Sequence, residues 1–247
     1  MKGGRAMEAL LAQILVGLAS PDGERRVQAA RELEALLSAR LDEGETEWTP
    51  VIDALLPSMV AGLGDPEKGV QVHCANCLEF LAYQSGAVVP ALRAALKPPD
   101  GRQAWTAAFV LARLGLWSDE VGEALSAAMG APDRDTRWAA AGFALGLGRA
   151  HPECVAMVRR TLRAPVPNAR KMAAYCLGAM GEYADVAADL ADRLADPDRD
   201  VRRAAVLALN RLPHVDAAIR QAVARLRQDP DEFVRRAADA VAARWGV

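Results

Sequence analysis

A proline returns along this chain at a nearly fixed interval, and that period constrains the fold more than any other feature. Pro66, Pro99, Pro132, Pro165, Pro197 and Pro230 are separated by 33, 33, 33, 32 and 33 residues, and Pro21 precedes the first of them by 45. Seven positions before each proline stands an apolar residue: Ile14, Met59, Leu92, Leu125, Val158, Leu190 and Val223. Three before come Leu18, Leu63, Leu96, Met129, Leu162 and Leu194, with Leu226 one place early. An acidic residue follows six of the seven prolines, and Val166 breaks the rule. Self-similarity at this period means stacked repeats. A repeat array grows by adding units, so chain length does not set the domain count.

Each unit reads as two helices. The first, as in Val186–Ala195, repeats apolar residues at helical spacing and stops before Asp-Pro, because proline cannot continue a helix. Asp198 or Asp200 can cap the second helix, Val201–Leu212, by accepting its orphan N–H groups. That helix carries Val201, Arg202, Ala205, Ala208 and Leu209, whose small residues allow close helix approach. A lone pair cannot bury both of its faces, so neighbouring units must stack. Seven units follow, roughly 8–39, 50–84, 87–117, 119–149, 152–182, 185–213 and 216–247. Aromatics are only 5% of the chain, so the core must come from Ala, Leu and Val.

This unit resembles the HEAT repeat, in its short bacterial form of the phycobilisome-lyase type. The residues that carry the resemblance are Asp198, Asp200, Val201 and Arg202, and again Asp231, Glu232, Phe233, Val234 and Arg235. The resemblance covers about Leu10 to Trp245 as a single array over 1–247, and implies an all-α, right-handed α-α superhelix. First helices would lie on the convex side and second helices on the concave side. It also implies a ladder in which an arginine at the start of each second helix pairs with a loop aspartate. Arg170, Arg202 and Arg235, with Arg137 beside that register, are the candidates; Asp198, Asp200 and Asp231 would supply the partners. The motif specifies the fold and says little of function.

Charge narrows the partner classes. The net charge of −2 argues against a surface made wholly for nucleic acid. Residues 1–123 hold 11 Lys/Arg against 17 Asp/Glu, while residues 124–247 hold 19 against 15. Lys2 and Arg5 before an apolar run superficially resemble a secretory leader. Ile14, Leu18 and Pro21 nevertheless fall at the repeat's own positions, so the run is expected to be a helix of a cytoplasmic protein. No apolar run approaches the roughly 20 residues that span a bilayer.

Three constellations invite a chemical reading. Cys74 and Cys77 beside His73 suggest a metal or redox pair, but structural zinc needs four ligands and no second such pair exists. Both cysteines take the small-residue positions of Ala205 and Ala208, so they are expected in the core as small apolar side chains, with no metal and no cofactor. The position after the ladder arginines holds Trp105, Trp138, Lys171, Arg203 and Arg236 in consecutive units. Two indoles followed by cations could grip a peptide or stack on bases; the alternative is that the rings plug gaps between helices. The insertion Asp42–Trp48, rich in acid and ending in Trp48, is a further candidate contact.

Catalytic signatures are absent: there is no phosphate-binding glycine loop, nucleophile elbow or zinc-binding His-Glu-x-x-His. The expectation is a monomeric, non-enzymatic scaffold or adaptor that binds a protein or peptide on its concave face. A nucleic-acid-binding or alkylpurine DNA glycosylase-like protein is the second reading. The positions four after the two tryptophans are Phe109 and Gly142, though, so no carboxylate lies one turn on. A bilin lyase or chaperone is the third, by fold analogy alone.

Overall fold

The computed structural model describes residues 2–42, 49–98, 101–181 and 186–247. Those residues form fourteen α-helices and two short 3-10 turns, with no strand among them. The chain divides into two compact units, Met1–Ala124 and Leu125–Val247, each taken here by itself.

In the first unit, α1 (Lys2–Leu18) pairs with α2 (Gly23–Asp42), α3 (Thr49–Gly62) with α4 (Lys68–Leu81), and α5 (Val88–Ala94) with α6 (Arg102–Arg113). The second helices α2, α4 and α6 pack in sequence, as do the first helices α1, α3 and α5. Helix α7 (Asp119–Met129) contains the boundary between the units. The second unit repeats the scheme with second helices α8 (Arg134–Gly148), α10 (Pro167–Met180), α12 (Arg199–Leu209) and α14 (Glu232–Trp245). Their partners are α9 (Pro152–Thr161), which lies against both α8 and α10, then α11 (Val186–Ala191) and α13 (Ala217–Arg225). This is the all-α solenoid packing that the period requires.

The periodic residues do what their spacing implies. All seven apolar residues placed seven before a proline are buried, from Ile14 to Val223. Burying a side chain of that size contributes about 1.5–3 kcal/mol, and one recurs in every hairpin. The small residues set the spacing between second helices. A Cβ added to Gly178 would stand 2.6 Å from Ala208 Cα, so α10 and α12 approach backbone to backbone.

In three repeats of the second unit, the aspartate one residue after the proline caps the following helix. Asp133 accepts from Thr136 N, Asp198 from Asp200 N and Val201 N, and Asp231 from Phe233 N and Val234 N. Of the two capping candidates, Asp198 does the work and Asp200 lies inside the first turn. Val166 has no side chain to cap with, and Pro167 opens α10 instead, which needs no donor there.

The arginine ladder exists, but with other partners than expected. Arg202 does not pair with Asp198 or Asp200. Its Nε and Nη2 donate to both carboxylate oxygens of Asp229, at 2.8 and 2.9 Å. Arg170 grips Asp196 in the same way, at 2.8 Å twice, and Arg26 grips Asp65 at 2.7 and 3.0 Å. In each case the acid immediately precedes the proline of the next repeat. The third nitrogen, Nη1, donates to two carbonyls of the arginine's own turn: Ala164 and Pro165 for Arg170, Asp196 and Pro197 for Arg202. Arg235 makes the same pair of carbonyl bonds to Asp229 and Pro230. The expected partners failed for a geometric reason. Asp198 and Asp231 point at their own helix N-termini, where the free amides claim them.

These aspartates titrate below the usual carboxylate value. At Asp229 the Arg202 hydrogen bond is the largest cause. At Asp196 and Asp65 burial pushes upward, but hydrogen bonds from Arg170 or Arg26 and from a backbone amide two residues on outweigh it. A carboxylate with a lowered folded value stabilises above its unfolded value of about 3.9 and loses that contribution as pH falls through the folded value. Urea midpoints should therefore hold from neutral pH down to about pH 4 and drop below it, and the drop should shrink in Asp196→Asn.

Burial separates the ladder from ordinary surface pairs. The Asp196 side chain is 1% exposed, whereas Arg199, paired with Asp231 at 3.1 Å, is 64% exposed. Removing one partner of a buried pair costs about 3–5 kcal/mol; an exposed pair contributes about 0–1 kcal/mol. Urea unfolding should accordingly show Asp196→Ala losing several times more stability than Arg199→Ala.

Candidate functional site

On a helix, positions three and four apart share a face. Counted from the proline, Lys171 and Arg203 fall six residues on, Tyr175 and Leu207 ten, and Arg211 fourteen, so each helix presents one column outward. In the second unit the columns of α8, α10 and α12 together line a cleft of about 370 Å³. Trp138, Lys171 and Arg203, three of the residues singled out in the sequence, meet there.

The structure adds residues that the sequence reading did not single out as site residues. Arg134 and Arg137 come from the first turn of α8, Tyr175 from mid-α10, and Arg211 lies just past the end of α12. Tyr175 and Arg211 lie one and two turns beyond the position that was tracked, so following the same face further along each helix would have found them. The Tyr175 ring meets Trp138 edge to face, with centroids 4.7 Å apart at 82°. The Arg211 guanidinium sits 5.0 Å over the same tyrosine. Below Trp138 on α8, Gly142 leaves the face bare: a Cβ there would meet nothing within 4 Å.

The electrostatics are one-sided. Five cations, Arg134, Arg137, Lys171, Arg203 and Arg211, face a single carboxylate, Asp200. Asp200 stands 3.7 Å from Lys171 Nζ and is itself exposed, so it offsets little of that charge. A cleft of this kind can hold an anionic group and lay an apolar or planar one against Trp138.

The other candidates lie elsewhere. Arg236 is on α14, exposed and ion-paired with Glu232 one turn back, and takes no part in the cleft. Trp105 belongs to the first unit; it is half-buried, and its indole N–H is buried without an acceptor among the described residues. That is the environment of a ring filling space between helices. Trp48 lies outside the described residues.

The four cysteines are buried and unpaired. Desolvation pushes the thiols of Cys74, Cys154 and Cys176 up to about 12, and Cys77 higher still, so at neutral pH they are thiols packed as small apolar groups. His73 is occupied with Glu34, its Nδ1 2.5 Å from Oε2, and Asn76 donates to the other oxygen of that glutamate at 3.0 Å. No cluster of three or more metal-ligating side chains occurs among the described residues. No described helix is long and apolar enough to cross a membrane.

Trp138 is 43% exposed and meets the Tyr175 ring edge to face, so its packing contribution is smaller than that of a fully buried ring. Thermal unfolding should show Trp138→Ala costing less than a tryptophan truncated in a core, which costs about 3–5 kcal/mol. Trp105→Ala should cost more, because more of its ring is covered than that of Trp138.

Residues 122–210 match the family model described as HEAT repeats. That stretch contains α8, α10 and α12, the three helices of the cleft. No curated protein matches the chain. Among solved structures, the X-ray structure of YibA from Escherichia coli is similar over 80% of this chain and 74% of that one, at 18% identity and a TM-score of 0.52. A designed armadillo repeat protein in complex with the peptide (KR)4 covers 94% of this chain and 97% of its own at 18% identity, with a TM-score of 0.38. Human deoxyhypusine hydroxylase in complex with glycerol covers 99% and 98% at 18% identity, with a TM-score of 0.39. Neither of these last two superposes closely enough to bear on what this chain does. The match identifies residues 122–210 as HEAT repeats, and the described helical hairpins on either side of that stretch recur at the same period of about 33 residues.

Proposed function

We propose that the chain is a non-enzymatic binding module whose second unit holds an acidic segment of a protein partner across α8, α10 and α12. One observation carries this reading: a cleft with five cations and two aromatic rings against a single exposed carboxylate. Repeat proteins offer extended faces built from equivalent positions, which suit a polypeptide laid across several helices. Here the equivalent positions are charged, so complementarity sets orientation and encounter rate more than raw affinity.

Nucleic acid is the competing occupant, since basic grooves with stacking rings also bind single strands. Backbone-tracking grooves need a continuous basic path, and the next second helix, α14, offers Arg236 already paired with Glu232. A sequence pI near 6.0 points the same way. The acidic polypeptide is therefore the better fit.

The test is fluorescence anisotropy with a labelled octapeptide alternating Glu and Tyr, amidated at its C-terminus. Saturable binding is expected, weakening as salt rises and lost in the double change Lys171→Glu, Arg203→Glu with the fold intact by circular dichroism. Failure to saturate at low salt would contradict the proposal. So would tighter binding of an oligothymidine of matching length.

A further inference from the structure

The repeat that opens the cleft is also the one whose ladder is incomplete. Elsewhere in the second unit, the arginine five residues after one proline grips the aspartate just before the next: Arg170 with Asp196, Arg202 with Asp229. Arg137 stands at that position and makes the same carbonyl bonds, its Nη1 donating to Ala131 O and Pro132 O at 2.7 Å each. What is missing is the acid. The residue before Pro165 is Ala164, where the next two repeats have aspartate.

Among the described residues Arg137 meets no carboxylate. Its Nε and Nη2 are the two donors that close on both oxygens at each neighbouring rung. Arg137 is only half-buried and lines the cleft beside Trp138. A guanidinium already anchored through Nη1, with its forked edge open, is a preorganised carboxylate receptor.

We infer that the bound segment completes the ladder: an aspartate or glutamate side chain of the partner takes the place of the absent loop aspartate and is held two-pronged by Arg137. This rests on the reading of the cleft as a site for an acidic polypeptide, and adds which group must enter and where. The side chain is favoured over other anions because the fold fills this same position with aspartate at the two neighbouring rungs.

The inference makes an unusual demand on one substitution. Ala164→Asp should close the rung from within, raising the thermal midpoint while weakening the labelled Glu-Tyr octapeptide by about tenfold or more. Val166→Asp adds the same charge two residues away, at the capping position, and should change affinity by less than about threefold. Arg137→Ala should weaken binding as much as Ala164→Asp, and the two changes together no more than either alone. Equal weakening by Ala164→Asp and Val166→Asp would overturn the inference, leaving only diffuse charge. An Ala164→Asp chain that binds like the wild type would overturn it while the cleft stands as a binding site. A wild-type chain that ignores the peptide would remove the underlying reading as well.

Discussion

The forked hydrogen bond between an arginine of one repeat and the aspartate that opens the next turn is the constraint on which the rest depends. Stacked helical hairpins hide their apolar faces through contacts that have little direction of their own: Ala against Gly, Val against Leu. Such surfaces tolerate sliding. A guanidinium that spends Nε and Nη2 on one carboxylate, and Nη1 on two carbonyls of its own turn, does not. Every member of that set is satisfied, which is the condition under which a buried ion pair repays its desolvation. The pair therefore acts as a register mark between units whose packing alone would be permissive.

The same geometry separates two jobs that fall on adjacent residues. Five places after the proline the side chain turns into the seam between repeats and is held there. Six places after, in α8, α10 and α12, it faces outward, which is where Trp138, Lys171 and Arg203 stand. One helical turn later come Gly142, Tyr175 and Leu207, and two turns later Arg211. The cleft is thus a by-product of the repeat: three copies of one outward column with different side chains on each. Its charge follows from those choices, with arginine and lysine in the columns and Asp200 the single carboxylate among the described residues that line the cleft.

Sequence and structure agree where a contact recurs with the period. The proline interval, the buried residue seven before it and the small residues of the second helices all describe a single hairpin and its neighbour, so one chain displays them repeatedly. The arginine positions were equally visible, but their partners were assigned by nearness in sequence. Asp198 and Asp231 are close along the chain, yet the helix amides claim them; the true partners lie 26 and 27 residues on. Aligning the prolines shows Asp65, Asp196 and Asp229 in one column, so that signal was present. The cleft was half legible. Its central column was identified, while Arg134, Arg137, Tyr175 and Arg211 become neighbours only when three helices are set side by side. Trp105 shows the opposite limit, since equal register did not give it Trp138's exposure.

The most direct measurement is nuclear magnetic resonance of the arginine side chains, which reads each Nε–H separately. In the free chain, Arg26, Arg170 and Arg202 should show sharp, exchange-protected Nε–H signals, and Arg137 should exchange rapidly with water. Saturation with an acidic peptide should bring Arg137 into the protected set and leave the other three unchanged. Four equally protected signals before any peptide is added, or an Arg137 signal indifferent to it, would contradict the account.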